Sequence, residues 1–285
     1  MASNAILIPT SGSVKKHPEK LLPTPSEIRE LNQKARHYKA LDHYSPTPVR
    51  IPSLGLLVKY GAGVLYSEYE AQLFVYQQLQ GRVLVPELYG WTQDAGQGFI
   101  YMALIEGETL ERRWKGMTGE EKRNLALELR EMVDTWRSLT QPGYVSYIGV
   151  VGMQALNDRT LSKFKGGPFM GENAIADFHT ACNISGIEGD FPIKFTHADL
   201  VACNILVTSG PNPKVAAVID WEQAGWYPSY WEYCKAQTVG LPTDAHMDKN
   251  DEREWREEYL PLILDPVDDE TCFGPWEMWL YSWGL

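Results

Sequence analysis

Long apolar runs are missing from this chain. No stretch approaches the roughly 18 consecutive apolar residues of a membrane-spanning helix. The first residues, Met-Ala-Ser-Asn-Ala-Ile-Leu-Ile-Pro, lack the charged and apolar regions of a secretion signal, so the sequence predicts a cytoplasmic protein with no membrane partner. Cysteine is scarce: Cys182, Cys203, Cys234 and Cys272 form no CxxC pair, which argues against a disulfide framework and fits free thiols in a reducing compartment. Basic residues are outnumbered, with 26 Lys and Arg against 37 Asp and Glu and a formal net charge of −11. A polyanion such as nucleic acid is therefore not an expected partner. An acidic surface suits a neutral or cationic small molecule, or serves solubility alone. Internal repeats and low-complexity tracts are absent, and oligomeric state is not legible.

What is present is material for a sizeable core. Hydrophobic residues make up 44% of the 285, with 10 Trp and 15 Tyr, enough for one large domain or two lobes sharing a cleft. Residues 1–24 read as a loosely held arm, and Thr24-Pro25-Ser26 opens a short helix. Val49–Ile51 and Leu56–Lys59 flank a turn and read as a hairpin. A helix follows from Glu68 to Leu79, with strands at 83–85, 88–91 and 99–105 and a short helix at 108–115. Thr118-Gly-Glu-Glu121 is a capping box opening a long helix, with Leu125, Leu129, Met132, Val133, Trp136 and Leu139 at helical spacing. Further helices are expected at 173–182, 228–240 and 250–264, and short strands at 194–196, 205–207 and 215–219; the tail after 265 is Pro- and Trp-rich. This order predicts an α+β fold of two lobes. The expected divisions are an arm and helix over 1–44, a strand-rich N-lobe over 45–105 and a helical C-lobe over 106–285, hinged near 102–107.

The chemistry concentrates in one stretch. His197-x-Asp199-x-x-x-x-Asn204 is followed by Asp220 at the end of the apolar run Val-Ala-Ala-Val-Ile. Two carboxylates and an amide at the ends of short strands are the set that phosphoryl transfer needs: one carboxylate to take the proton of an attacking hydroxyl, and an Asn/Asp pair to hold magnesium against nucleotide phosphates. Oxygen-only ligands suit the hard Mg²⁺ ion.

Other segments fall into the same pattern: Val58-Lys59-Tyr60-Gly61, Ser67-Glu-Tyr-Glu-Ala71, Tyr101-Met102-Ala-Leu-Ile-Glu-Gly107, and Ile219-Asp-Trp-Glu-Gln-Ala-Gly225-Trp-Tyr-Pro228. With these, the chain resembles the aminoglycoside phosphotransferase and choline kinase family, whose fold is that of the protein kinases, and within it the compact members abundant in fungi. The resemblance runs from about residue 49 to residue 235. It implies an ATP- and Mg²⁺-dependent small-molecule kinase that phosphorylates a hydroxyl. Asp199 is then the catalytic base, and Asn204 and Asp220 the metal ligands. Lys59 is the contact to the α/β phosphates, paired with Glu70 in preference to Glu68. The connector from Met102 to Ile105 would hold adenine through the backbone of Ala103 and Ile105. His197 braces the catalytic loop. The acceptor pocket is expected from residues near 169–178, 226–232 and the tail, with Glu222 and Glu232 as an acidic rim for an amine-bearing acceptor.

Departures from the family pattern point to an alternative, a kinase-fold protein without kinase activity that has a binding role or a repurposed cleft. No GxGxxG precedes Lys59. Ala198 stands where glycine is usual, and a Cβ there is awkward if the backbone needs positive φ. Val201, Ala202 and Cys203 replace more polar residues, and the basic residue often found before the Asn is absent. A protein kinase is the weaker third reading, since Asp220-Trp221-Glu222 stands in place of DFG and no APE follows.

Overall fold

The computed structural model describes residues 6–7, 22–36, 39–79, 81–164, 166–241 and 246–283. Apart from Ile6 and Leu7, the N-terminal arm up to residue 21 lies outside the described residues.

The N-lobe is built on a five-stranded antiparallel sheet in the order β1-β4-β5-β3-β2, with β1 at Ile6–Leu7, β2 at Val49–Ile51, β3 at Leu56–Gly61, β4 at Leu88–Asp94 and β5 at Gln97–Ala103. Alternation along the strands gives the sheet two buried faces. Val58, Tyr60, Phe99 and Tyr101 pack with Ile28 of helix α1 (Pro25–Lys34), which Thr24 and Glu27 close with a capping box. Leu88, Ile100 and Met102 pack on the other face with Tyr69 of helix α2 (Tyr66–Leu79). Lys59 pairs with Ile100 across the β3–β5 ladder and so shares that second face. A one-residue slip would carry Lys59 to the α1 side and bury its charge among aromatics, so the register is part of the site.

The predicted strand at 99–105 ends two residues early. The Leu104 amide donates to Gly55 O at 2.9 Å, and the chain leaves the sheet there. Gly107, at φ +141°, makes the turn out of the connector; a Cβ at that position would collide with the Val207 carbonyl. The predicted strand at 83–85 is not formed. Leu84 instead accepts the Val218 amide at 2.8 Å, and tying this segment to the other lobe keeps it out of the sheet.

The C-lobe is organised around the long helix α4 (Gly119–Arg137), which follows β6 (Glu108–Thr109) and the short helix α3 (Leu110–Arg113) and is closed by the Thr118/Glu121 capping box. Leu125, Leu129, Met132, Val133 and Trp136 form its buried stripe. After the pair β7 (Tyr147–Ile148) and β8 (Phe169–Met170) and helix α5 (Ala174–Ala181) come four short strands: β9 (Ile193–Thr196), β10 (Ile205–Val207), β11 (Val215–Val218) and β12 (Gly225–Pro228). β10 lies between β11 and β6, and β9 pairs with β12. β12 is an addition to the predicted elements. Helices α6 (Trp231–Thr238), α7 (Lys249–Glu254), α8 (Leu260–Ile263) and α9 (Gly274–Trp283) complete the lobe. The tail is thus helical at its end, where a π-helical turn at Asp269–Phe273, capped by Asp268, runs directly into α9 and accommodates Pro275.

The lobes share a core. Ala71, Val75 and Leu79 of α2 belong to the same buried cluster as Trp114, Leu129, Phe195 and Trp221. Full burial of side chains of this size contributes roughly 1.5–3 kcal/mol each, so α2 is fixed to the C-lobe as firmly as to its own sheet.

Candidate active site

Three loops meet below the sheet. The first joins β9 to β10 and carries His197, Asp199 and Asn204. Its conformation is demanding: Ala198 has φ +61°, the left-handed region that disfavours a Cβ. What holds it there is Glu232 of α6, 1% exposed. Its carboxylate accepts the His197 amide at 2.7 Å and the Ala198 amide at 2.9 Å. Glu232 is therefore not an acidic rim for an acceptor, as the sequence suggested. It is enclosed and committed to the loop.

His197 is buried and neutral in role. Its Nδ1 accepts the Asp199 amide at 3.2 Å, which leaves Nε2–H to donate to Ile219 O at 3.0 Å. Burial holds the imidazole below its ordinary range. It thereby ties the Asp199 loop to the chain entering Asp220, which fits the bracing role expected for it. Trp221 packs edge-on to the ring at 4.5 Å.

Asn204 donates through Nδ2 to Asp199 O at 2.9 Å and to Asp199 Oδ2 at 3.1 Å. Its Oδ1 accepts from the Cys203 thiol at 3.8 Å. The Ile219 amide bonds Asn204 O at 2.9 Å, so Asn204 and Asp220 stand side by side at the base of the β10–β11 hairpin. Asp220 has φ +65°, a conformation that Asp tolerates better than most residues. Burial pushes the Asp199 carboxyl above the usual carboxylate range, with the Lys235 charge pulling against it.

Lys59 reaches down from β3. Its Nζ lies 2.7 Å from Glu68 Oε1, 2.7 Å from Asp220 Oδ1 and 3.2 Å from Glu222 Oε2. Burial works against its charge, but the three carboxylates hold the ammonium well above the ordinary lysine range. Burial pushes the Glu68 carboxyl up, and it would push Asp220 up as well, but the charge and hydrogen bond of Lys59 hold Asp220 below the usual range. The partner on α2 is thus Glu68 and not Glu70. Glu68 lies on the same helical stripe as Ala71, Val75 and Leu79 and is 1% exposed, whereas Glu70 projects off that stripe.

The connector also needs correction. The Ala103 amide is already committed to Glu87 O at 2.8 Å, inside the sheet. It is not available to a base. The Ile105 backbone has no hydrogen-bond partner among the described residues. Met102 is buried in the sheet face, two residues along β5 from the partner of Lys59.

The oxygen-only donors Asn204 and Asp220 fit a hard divalent cation. Among the described residues, carboxylate oxygens of Glu68, Asp220 and Glu222 lie within 4.8 Å of one another, and Glu68 Oε2 is buried with no hydrogen-bond partner. Around Lys59 and Arg159 stand four carboxylates, those of Glu68, Asp199, Asp220 and Glu222, so the cluster carries an excess of negative charge.

A third loop, residues 157–161, was not singled out in the sequence. Asp158 is buried and accepts from Lys235 Nζ at 2.8 Å, Trp231 Nε1 at 2.9 Å and the Thr160 amide at 2.8 Å. Lys235 also bonds Gln223 Oε1 at 2.9 Å. No motif marks Asp158 in the sequence, but Glu232 and Lys235 lie on an otherwise apolar helix, a position where charges signal buried partners.

The aromatic residues expected to line an acceptor pocket are core. Phe178, Trp226, Tyr227, Tyr230, Trp231, Trp276 and Trp279 are all 4% exposed or less, packed largely on one another. A cavity of about 560 Å³, lined by Leu139, Gln141, Tyr144, Glu172 and Lys194 among others, shares no residue with the carboxylate cluster.

Comparison with known proteins bears on the fold. The sequence model of the phosphotransferase enzyme family matches residues 173–262, which include the segment from His197 to Pro228. No curated protein matches the chain in sequence. Aminoglycoside phosphotransferase APH(3'')-Id from Streptomyces rimosus superposes with a TM-score of 0.50 at 13% identity, over 91% of this chain and 99% of that one. The type VIII aminoglycoside-3'-phosphotransferase gives 0.49 at 16% identity over 79% and 83%. A thermostable APH(4)-Ia mutant in complex with AMP-PNP and hygromycin B gives 0.42 at 15% identity, and this chain spans 63% of its length. The chain has the two-lobed, protein-kinase-like fold of the aminoglycoside phosphotransferases, and the segment that carries its carboxylates and Asn204 lies within the part matching the phosphotransferase enzyme family.

Proposed function

We propose that this protein is an ATP-dependent kinase of a small hydroxyl-bearing molecule. The observation that carries the reading is the convergence of Lys59, Asp220, Asn204 and Asp199, far apart in sequence, through contacts of 2.7 Å between Lys59 and Asp220 and 3.1 Å between Asn204 and Asp199. Lys59, oriented by Glu68, binds the α/β phosphates of ATP. The connector at Met102 to Ile105 seats adenine, with Ile105 as the backbone contact. Asn204 and Asp220 would hold Mg²⁺, which supplies neutralisation of the phosphate charge.

Asp199 accepts the proton of the acceptor hydroxyl as its oxygen forms a bond to the γ phosphorus and the bond to the β–γ bridging oxygen breaks, releasing ADP. The raised Asp199 carboxyl makes it a stronger base than an exposed aspartate. Asn204 aims it, and Glu232 and His197 fix the loop, so the contribution is positioning and pre-set electrostatics. The relatives named above are aminoglycoside kinases by name. For this chain we propose a neutral or amine-bearing alcohol, without Glu232 as the amine's partner. Thermal shift with ATP plus Mg²⁺ tests the reading. Stabilisation is expected with both present and is expected to be lost in Asp220→Ala; no stabilisation of the wild type would leave the chain a kinase fold with another role.

A further inference from the structure

The loop between Asp199 and Asn204 contains Leu200, Val201, Ala202 and Cys203, and so presents no cation to a phosphoryl group held beside the base. Lys59 lies at the other end of the cluster, within 3.2 Å of three carboxylates. A cation is nevertheless delivered to this end of the site from a separate part of the chain. Arg159 NH2 lies 2.6 Å from Glu222 Oε1, and Glu222 Oε2 is 3.2 Å from Lys59, so one carboxylate bridges the two cations.

Arg159 stands on a built platform. Its own amide donates to Gln223 Oε1 at 2.9 Å, and Asn157 Nδ2 donates to Glu222 O at 3.2 Å. Asp158 beside it is locked by Lys235, Trp231 and Thr160. The loop is therefore bolted to residues 222–223, just beyond Asp220, from both sides. The side chain itself is two-thirds exposed (66%), and its guanidinium has no partner other than Glu222 among the described residues. A firmly held backbone thus carries an exposed guanidinium with one bonded arm at the edge of the carboxylate cluster. Its charge reaches both carboxylates: it opposes the burial that raises Asp199, and it adds to Lys59 in lowering Asp220.

We propose that Arg159 binds the transferred γ-phosphoryl group of the nucleotide, taking the place of the cation missing from the loop between Asp199 and Asn204. The proposal rests on the kinase reading of the cleft. Guanidinium suits the task because its fork meets two phosphate oxygens at once. Glu222 parks the side chain beside the phosphate position in the free protein and need release only one arm of the fork. In a loose transition state the charge of the transferred group is spread over its three equatorial oxygens, so a fork spanning two of them can follow the group from ADP to the acceptor.

The test compares triphosphate with diphosphate. Affinities for AMP-PNP and ADP, each with Mg²⁺, are measured by calorimetry for wild type, Arg159→Gln and Arg159→Lys, with melting temperatures taken without nucleotide as a control on folding. A charge-assisted contact to the terminal phosphate predicts that Arg159→Gln loses on the order of tenfold or more in AMP-PNP affinity, with ADP affinity and melting temperature little changed. Arg159→Lys should recover part of the loss. Equal losses for the two nucleotides, or no loss, overturn the role of Arg159 and leave the kinase reading standing. A wild type that binds neither nucleotide overturns both.

Discussion

Replacing Glu232 by Ala tests how the loop from His197 to Asn204 is held. The two backbone amides of His197 and Ala198 have Glu232 as their acceptor, at 2.7 and 2.9 Å, in a setting where His197 and Ala198 are both 0% exposed. Water has no ready access to replace the lost carboxylate. Each buried N–H left unmade costs about 1–3 kcal/mol, so the variant should lose about 2–6 kcal/mol. At about 2–4 °C per kcal/mol for a chain near this size, the melting temperature should fall by roughly 4–24 °C. Glu232→Gln retains one acceptor oxygen and should fall between. Differential scanning calorimetry reads the stability, and amide hydrogen exchange at His197 and Ala198 reads the mechanism, since those amides should lose protection ahead of β9. Turnover should drop with them, because the left-handed turn at Ala198, φ +61°, leads directly into Asp199 and loses the acceptor of its two amides. An unchanged melting temperature with a raised KM for the acceptor would refute this reasoning and return Glu232 to the acceptor side of the site.

Asp199→Asn should lower turnover about a hundredfold or more while nucleotide affinity stays near wild type, as steady-state kinetics and calorimetry would show; an active Asn variant removes Asp199 as the base. The same variant should melt higher than wild type at neutral pH. A carboxyl raised in the folded state contributes stability below its unfolded value, near 3.9, that is lost as pH rises through the folded value, so at neutrality the ionised group is a cost. Glu68→Gln should weaken ATP binding on the order of tenfold by releasing Lys59, and Glu70→Gln should change it little; the opposite order in a titration would restore Glu70. Lys235→Met should cost about 3–5 kcal/mol in denaturant unfolding, because it leaves Asp158 buried and without its cation, and a neutral result would mean that the Trp231 and Thr160 donors hold Asp158 unaided.

The parts of the site that were legible share a property: their chemistry is local in sequence. Asp199 and Asn204 sit on one loop, and Asp220 follows one hairpin later, so strand spacing alone brings them together. Lys59 was legible because a lysine ends an apolar strand ahead of an acidic helix start. The choice between Glu68 and Glu70 was not legible because the helix is apolar on more than one side: Ala71 and Val75 follow Glu68 at helical spacing, and Leu73 and Phe74 follow Glu70. The Ala103 amide is unavailable to adenine for a different reason. Strand length decides whether it faces a ligand or a neighbour, and strand ends are set by partners such as Glu87 and Gly55 that a sequence does not announce. The loop of Asn157, Asp158 and Arg159 was invisible. Its role depends on Gln223, Trp231 and Lys235, residues distant in sequence that pack only in the fold. The Trp-rich tail misled through composition, since aromatics that read as cleft lining close a core instead.

The central claim is that Asn204 and Asp220 act as a unit toward one cation and the phosphates it accompanies. Equilibrium binding of ATP with Mg²⁺ to the wild type, Asn204→Ala, Asp220→Ala and the double variant measures this directly as a double-mutant cycle. The account predicts strong coupling, with the double variant binding ATP no more weakly than Asp220→Ala alone and the wild-type affinity collapsing when Mg²⁺ is chelated. Independent, additive losses, or ATP binding indifferent to Mg²⁺, would contradict it.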